Sequence, residues 1–356
     1  MAQKTLGAEL TFLLDYAIEK GASDLHILAD SSPMVRVDTV LLPVDKPVYT
    51  PEKANEVITG LIGDQLLERA TQTRKELDFS FSYKGLRFRC NVFFNKGVLA
   101  ASLRLLPNEV PDFELLGVPM IADKLIQHNQ GLIIVSGPTG HGKSTTLASM
   151  VNRIAATRRA HIITIEDPIE YVFQHKKSII SQRELGSDTP SFGSALRAAL
   201  REDPDVVLVG EMRDLETMEA ALQIAETGHL VLSTLHTNSA AQTADRIIDV
   251  FPPHQQPQVR AQLSSVLLGV ISQRLMPKTK GGRVLASEVM VANAAVRSII
   301  REGKTHQLPN LIQTSASEGM ISLDKSLAEL VSKGDISIDD ALAWSLDPKA
   351  LKMLVY

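Results

Sequence analysis

Residues Gly137, Pro138, Thr139, Gly140, His141, Gly142, Lys143 and Ser144 fill every fixed position of the pattern G-x-x-x-x-G-K-[ST], and Thr145 follows. The context matters as much as the match. Leu132, Ile133, Ile134 and Val135 form an apolar run just before it, and Leu147, Met150, Val151 and Ile154 fall on one helical stripe just after it. Strand, glycine-rich loop and helix together aim backbone N–H groups and a helix N-terminus at a polyphosphate. In that frame Lys143 supplies a cation to the outer phosphates and Ser144 a hydroxyl to Mg²⁺, a hard ion that takes oxygen ligands. The expected ligand is therefore a nucleoside triphosphate, ATP with Mg²⁺, held by residues 137–145.

A chain of 356 residues with 44% hydrophobic content has material for two cores. Aromatic residues make up only 4%, which argues against a surface on which bases stack. The net charge is −4, residues 1–106 hold 13 basic and 13 acidic side chains, and no half has the basic excess of a nucleic-acid grip. The single cysteine, Cys90, excludes an internal disulfide and a four-cysteine zinc site, and suits a reducing cytosol. No apolar stretch approaches a membrane-spanning length, and the first residues lack a signal-peptide core. The expectation is a soluble cytoplasmic protein with no direct membrane insertion, reaching a membrane only through a partner.

The pattern changes along the chain. Residues 6–20 predict an amphipathic helix, Met34 to Asp38 a strand and residues 51–69 a second helix. Two strands flank Lys84-Gly85, and a third covers Leu99 to Leu105. Residues 1–106 read as a small α+β domain. Pro107, Pro111, Pro119 and Gly117 mark residues 107–130 as a linker. From 131 to 356, short apolar strands at 132–135, 161–165, 206–209 and 229–235 alternate with helices, the signature of a doubly wound parallel sheet that binds ligands beyond its strand ends. Beyond 238 the chain reads as mostly helical, with Val259, Leu263, Val266, Leu267 and Val270 on one face of a long helix.

Four further groups carry chemistry. Glu211 sits just past the apolar run Val206–Val209, where an acid can hold Mg²⁺ through water or polarise an attacking water. Glu166 and Glu170 follow the run ending at Ile165 and can approach the same metal, although a solvated acidic turn is the plainer alternative. His229 and His236 stand seven apart on one strand, on opposite faces, so they do not chelate one metal; each suits a hydrogen bond, His236 at the ligand edge. Arg87, Arg89 and Arg104 lie on strands of the first domain, either as plain surface cations or as a finger for a γ-phosphate.

The order of these pieces resembles the secretion-type ATPases. Leu196 through Asp214 is similar to that superfamily's signature, residues 165–170 to its Asp box, and Gly228 through Thr237 to its His box. Gly21 through Ile27, the run from Phe251 to Pro253, and Ala295 through Glu302 resemble the pilus-retraction branch, over about residues 5–345. The resemblance implies a RecA-like parallel-sheet P-loop ATPase domain preceded by a PAS-like α+β domain, assembled as a homo-hexamer. It implies Glu211 as catalytic base, Glu166 and Glu170 as Asp-box and His229 and His236 as His-box residues, and Arg89 and Arg104 as the arginines that reach a nucleotide. It also implies an inner-membrane pilus platform protein as partner. The lone cysteine favours retraction over the assembly and secretion branches, which carry a four-cysteine zinc motif. His141 departs from the family, which has Ser there. Its imidazole titrates near neutrality, so affinity or pH response can differ. Arg297 and Arg301 read as a solvated face over Val296, Ile299 and Ile300. An assembly or secretion ATPase, a nucleic-acid translocase and a regulatory module with little turnover remain as alternatives.

Overall fold

Alternation along the strand Leu86–Asn95 separates two faces: Phe88, Cys90 and Val92 are buried, and Arg89 between them is exposed. The computed structural model describes residues 6–37, 40–63, 76–106 and 109–355. Its contacts divide the chain into Met1–Glu109 with Glu170–Val172, and Val110–Ile169 with Phe173–Tyr356. Strands β1 (Asp24–Ile27), β2 (Met34–Val37), β3 (Val40–Pro43), β4 (Leu77–Tyr83), β5 (Leu86–Asn95) and β6 (Val98–Leu105) form an antiparallel sheet in the order β3-β2-β1-β6-β5-β4. The helices Ala8–Glu19 and Pro51–Ile62 cover its apolar face through Leu10, Leu13, Leu14, Val57, Ile58 and Leu61. Thr50 caps the second helix by accepting from the Lys53 N–H at 3.2 Å. That helix ends at Ile62, not at 69, and residues 64–75 lie outside the described residues. Lys84 and Gly85 take φ values of 50° and 78°, the left-handed pair that closes a two-residue hairpin. Strand β3 was not predicted, because all four of its residues are exposed and show no alternation.

The second unit is built on a parallel sheet whose central strands are apolar along their whole length. Strands β7 (Gly131–Ser136), β8 (His161–Glu166), β9 (Ile179–Glu184), β10 (Val206–Val209), β11 (Leu230–Leu235), β12 (Leu267–Pro277) and β13 (Arg283–Val291) lie in the order β13-β12-β7-β11-β10-β8-β9. Every residue of β7, β10 and β11 is buried, as expected for a sheet covered on both faces. Successive side chains feed two separate cores. Leu132, Ile134, Val207, Val209 and Val231 pack with the helices Phe192–Ala199, Leu215–Glu226 and Ala240–Asp249. Ile133, Val135, Val206, Leu208, Leu230 and Leu232 pack with the helix Lys143–Thr157. Each such side chain contributes about 1.5–3 kcal/mol by leaving water.

Three expectations change. The helix that was to run through Val270 stops at Val266, and β12 begins at Leu267 beside β7. Gly269 was the available signal: a Cβ there would lie 2.8 Å from Leu125 Cδ1 and 3.0 Å from Met290 O, so the position needs close packing that a helix would not give. With β13, this strand adds two members to the sheet where helix was expected. The proline-marked stretch carries two short helices, Phe113–Leu116 and Ile121–Leu125, and its Phe113, Val118, Ala122, Leu125 and Ile126 are buried in the second unit. Arg297 is not solvated. On the helix Ala294–Arg301 its Nη1 donates to Ser264 O (2.7 Å) and Ser265 O (2.5 Å), carbonyls that end the preceding helix Gln256–Val266, and its Nε donates to Ala292 O (2.9 Å). Val296 and Ile300 are buried beneath it as expected. The last helices, Leu323–Ser332, Ile338–Trp344 and Pro348–Val355, gather around Met276, Ala286, Leu327 and Leu351.

Candidate nucleotide site

Strand β7 ends at Ser136, and the chain turns through three glycines with positive φ: Gly137 at 144°, Gly140 at 81° and Gly142 at 80°. Only glycine takes these angles without strain. Gly137 has a second constraint, because a Cβ there would sit 2.4 Å from the carbonyl oxygen of Gln273 on β12. Gly137→Ala should therefore strain the loop by about 1–3 kcal/mol and weaken nucleotide binding about tenfold or more. Equilibrium binding to the purified variant checks this, and wild-type affinity would contradict the packing. Strand β12 also holds the loop by hydrogen bonds. Gln273 Nε2 donates to His141 O (2.7 Å), and the Leu275 N–H donates to His141 Nδ1 (2.9 Å). These supports escaped the sequence, because the segment read as helix. The His141 imidazole is held below its ordinary pKa by burial first, then by Arg274 and Lys143, so it stays neutral and keeps Nδ1 as an acceptor.

No side chain caps the helix Lys143–Thr157, which Lys143, Ser144 and Thr145 open. Its first-turn N–H groups and the positive end of its dipole suit an anion. Lys143 is buried, and its ammonium donates to Gly137 O (2.9 Å) and Pro138 O (2.8 Å) and lies 3.4 Å from His236 Nδ1. Thr139 Oγ1 is 3.5 Å from the same nitrogen. An ammonium only donates, so Nδ1 accepts and the imidazole hydrogen sits on Nε2. That hydrogen points to Glu211 Oε2, 3.3 Å away. Lys143, His236 and Glu211 thus form one line of contacts from the loop of β7, across β11, to the end of β10. Arg213 Nε pairs with the same carboxylate oxygen at 2.6 Å, a partner the sequence did not single out.

Glu166 leaves the end of β8, the strand beside β10, where Ile165 is in register with Val209. It accepts from Thr164 Oγ1 (2.6 Å) and from Gln182 Nε2 (3.3 Å). Gly210 lies against the end of β8, where an added Cβ would come within 3.3 Å of Ile165 O. Both acids leave neighbouring strand ends on the edge that carries the loop.

Of the other expected residues, His229 does not join this group, and Glu170, Arg89 and Arg104 belong to the first unit. His229 precedes β11 at its opposite end from His236, about 20 Å along the strand at ~3.3 Å per residue. Its Nδ1 lies 3.1 Å from Ile224 O and 3.2 Å from Thr227 Oγ1, so it finishes the helix Leu215–Glu226. Glu170 groups with the first unit in the segment Glu170–Val172. Arg89 and Arg104 are exposed cross-strand partners on β5 and β6 of that unit. Arg104 Nε donates to Asp24 Oδ1 at 2.9 Å, whereas Arg89 forms no ion pair among the described residues. Burial by itself raises the Asp24 carboxyl, but the hydrogen bonds from Arg104 and Ser23 outweigh it and hold it below the usual carboxylate range. A depressed folded value means stability that is present at neutral pH and lost as pH falls through that value. Asp24→Asn should therefore lower the melting temperature at pH 7, with the difference from wild type shrinking toward pH 3. A gap independent of pH would contradict the ion pair's role.

No group of three or more His, Cys, Asp or Glu side chains suited to hold a metal occurs among the described residues. The oxygen donors at the loop, the exposed Ser144 hydroxyl and the mostly buried Glu211 carboxylate, fit a cation that keeps most of its waters and arrives with phosphates.

A strand, a phosphate loop and a helix, with an acid and a histidine on the adjoining strand ends, define a P-loop nucleotide-binding fold. The Type II/IV secretion system protein family matches residues 5–343, and the chain belongs to that family. It is 46% identical over 334 residues to the type IV pilus retraction ATPase PilT of Pseudomonas aeruginosa, covering 94% of this chain and 97% of that protein. It is 47% identical to a twitching motility protein of Neisseria gonorrhoeae (93% and 89% covered) and 39% identical to the type IV pilus ATPase PilU of Pseudomonas aeruginosa (98% and 91%). Among solved structures, the pilus retraction motor PilT with bound ADP superposes with a TM-score of 0.90 at 50% identity, over 97% of this chain and 98% of that one.

Proposed function

We propose that this chain is a Mg²⁺-dependent ATPase that works as a homo-hexameric motor and retracts type IV pili. The observation that carries the reading is the line of contacts from Lys143 through His236 to Glu211, set on a phosphate loop. Similarity to PilT over nearly the full length, with 46% identity, supports the choice of pilus retraction.

In this reading the loop N–H groups and Lys143 hold the β- and γ-phosphates of ATP. Glu211 orients a water for in-line attack on the γ-phosphate and takes its proton. His236 donates to Glu211 and keeps the carboxylate facing the loop. Mg²⁺, held by Ser144 and through water by Glu211, would neutralise charge on the phosphate oxygens. Arg89 or Arg104 of a neighbouring subunit offsets the charge that develops on the transferred group; Arg104 is engaged by Asp24, so Arg89, which forms no ion pair among the described residues, is the first choice. Glu166 and Glu170 act as Asp-box residues, and His229 supports the sheet from its far end. Movement of the first unit against the second does work on an inner-membrane platform protein from the cytoplasmic side. Among the described residues no helix is long and apolar enough to cross a membrane, which is consistent with attachment through that partner.

Deleting the gene tests the direction of the motor. Surplus surface pili without twitching are expected from loss of retraction, and bald cells would point to assembly. Turnover stimulated by DNA and quenched by salt would favour a nucleic-acid translocase instead.

A further inference from the structure

Trp344 is the only tryptophan of the chain and ends the helix Ile338–Trp344, far along the sequence from the loop it touches. Its ring meets the His141 imidazole edge to face, with centroids 5.0 Å apart. The guanidinium carbon of Arg274 lies 5.6 Å from the same ring centroid. Arg274 donates to Gln273 O (2.9 Å) and, through Nη2, to Asn238 O (2.9 Å) and Asn238 Oδ1 (3.2 Å). Asn238 is two residues beyond His236. One indole therefore touches the phosphate loop directly and the His236 segment through Arg274. The neighbourhood is closed by Glu288, buried beside Arg274 and accepting from the Ala240 N–H at 2.6 Å.

The indole is fixed from behind as well. Asp324 is buried on the helix Leu323–Ser332, and its carboxylate accepts from Ser345 Oγ (2.5 Å), the Leu346 N–H (3.1 Å) and the Asp347 N–H (3.1 Å). Three hydrogen bonds to one turn hold the residues immediately after Trp344. A buried carboxylate that serves no part of the hydrolytic chemistry is thereby explained.

We propose that the Trp344–His141 contact couples the C-terminal helical extension to nucleotide binding, with Trp344, His141 and Asp324 as positioning residues. The extension, docked through Trp344, holds His141 where its Nδ1 can accept from Leu275 and so pre-forms the loop. By linkage, nucleotide bound at the loop tightens the docking of the extension to the same degree. The proposal rests on nucleotide binding at residues 137–145.

Calorimetric titration of the full-length protein with ADP, followed in parallel by tryptophan emission, tests it. ADP should shift or change the intensity of Trp344 emission, with a midpoint equal to the calorimetric one. Trp344→Ala should weaken ADP binding by about three- to tenfold, and Trp344→Phe, which keeps an aromatic edge-to-face contact, should restore most of it. Asp324→Asn should weaken binding in the same direction while keeping the half-exposed Trp344 side chain itself, and should shrink the ADP-dependent change in its emission. His141→Ser should abolish the ADP-dependent emission change even at saturating ADP. Melting curves of each variant show that the fold is kept. Binding of normal affinity in both Trp344→Ala and Asp324→Asn, or emission that ignores ADP while calorimetry records binding, would overturn the coupling. Absence of calorimetric binding would overturn the nucleotide reading and the coupling with it.

Discussion

Lys143→Ala is expected to reduce ATP turnover by at least ~10³-fold, to the level of the blank in a phosphate-release assay. The size follows from two losses that fall on one side chain. The ammonium is the cation nearest the loop, and it is buried, so its charge acts in a medium that screens less than water. It also donates to Gly137 O and Pro138 O, which ties the start of the loop to the first turn of the helix. Removing it should therefore cost affinity for ATP and rate alike. The fold itself should survive, because the cores on the two sheet faces are built from Leu132, Ile134, Ile133 and Val135 and their partners, not from the loop. Turnover near wild type in a folded Lys143→Ala protein would remove the loop from the chemistry.

Glu211→Gln should behave differently. A glutamine keeps the shape and still accepts from His236 Nε2, but it cannot take a proton. Turnover should fall about 10²- to 10⁴-fold, as for loss of a general base, while ATP affinity stays within a few-fold of wild type. The ion pair with Arg213 is lost too, yet Arg213 is exposed, and its effect on stability should be small. Steady-state kinetics beside equilibrium binding separates the two effects. A variant that turns over normally would move the base role to Glu166, the other acid at the same sheet edge. Equal loss in rate and affinity would make Glu211 a ligand-holding group and no base.

Much of the second unit was legible because its signals are local and strong. β7, β8, β10 and β11 each announce themselves as apolar runs ended by a glycine, an acid or a histidine, and the loop pattern leaves little freedom. The site followed where residues sit just past those runs, as Lys143, Glu166, Glu211 and His236 do. β12 was missed because its Leu267, Val270 and the preceding Val259, Leu263 and Val266 also fit a helical stripe, and only pairing with β7 decides for a strand. With β12 went Gln273 and Leu275, whose hold on His141 depends on register across more than a hundred residues. His229 was legible as the imidazole that serves a neighbouring element, here the end of the helix Leu215–Glu226. Its distance from the loop is fixed by which end of β11 it occupies, and the spacing to His236 already implied that separation. Arg297 was placed on the right helix, but its engagement with the Ser264 and Ser265 carbonyls follows only from how two helices pack.

The most direct measurement is a crystal structure with a non-hydrolysable ATP analogue and Mg²⁺. The triphosphate should lie along residues 137–145, with Lys143 Nζ turned from the Gly137 and Pro138 carbonyls onto the outer phosphates and the Glu211 carboxylate facing the γ-phosphorus. A nucleotide bound elsewhere, or one in the loop with Glu211 directed away from the terminal phosphate, would contradict it.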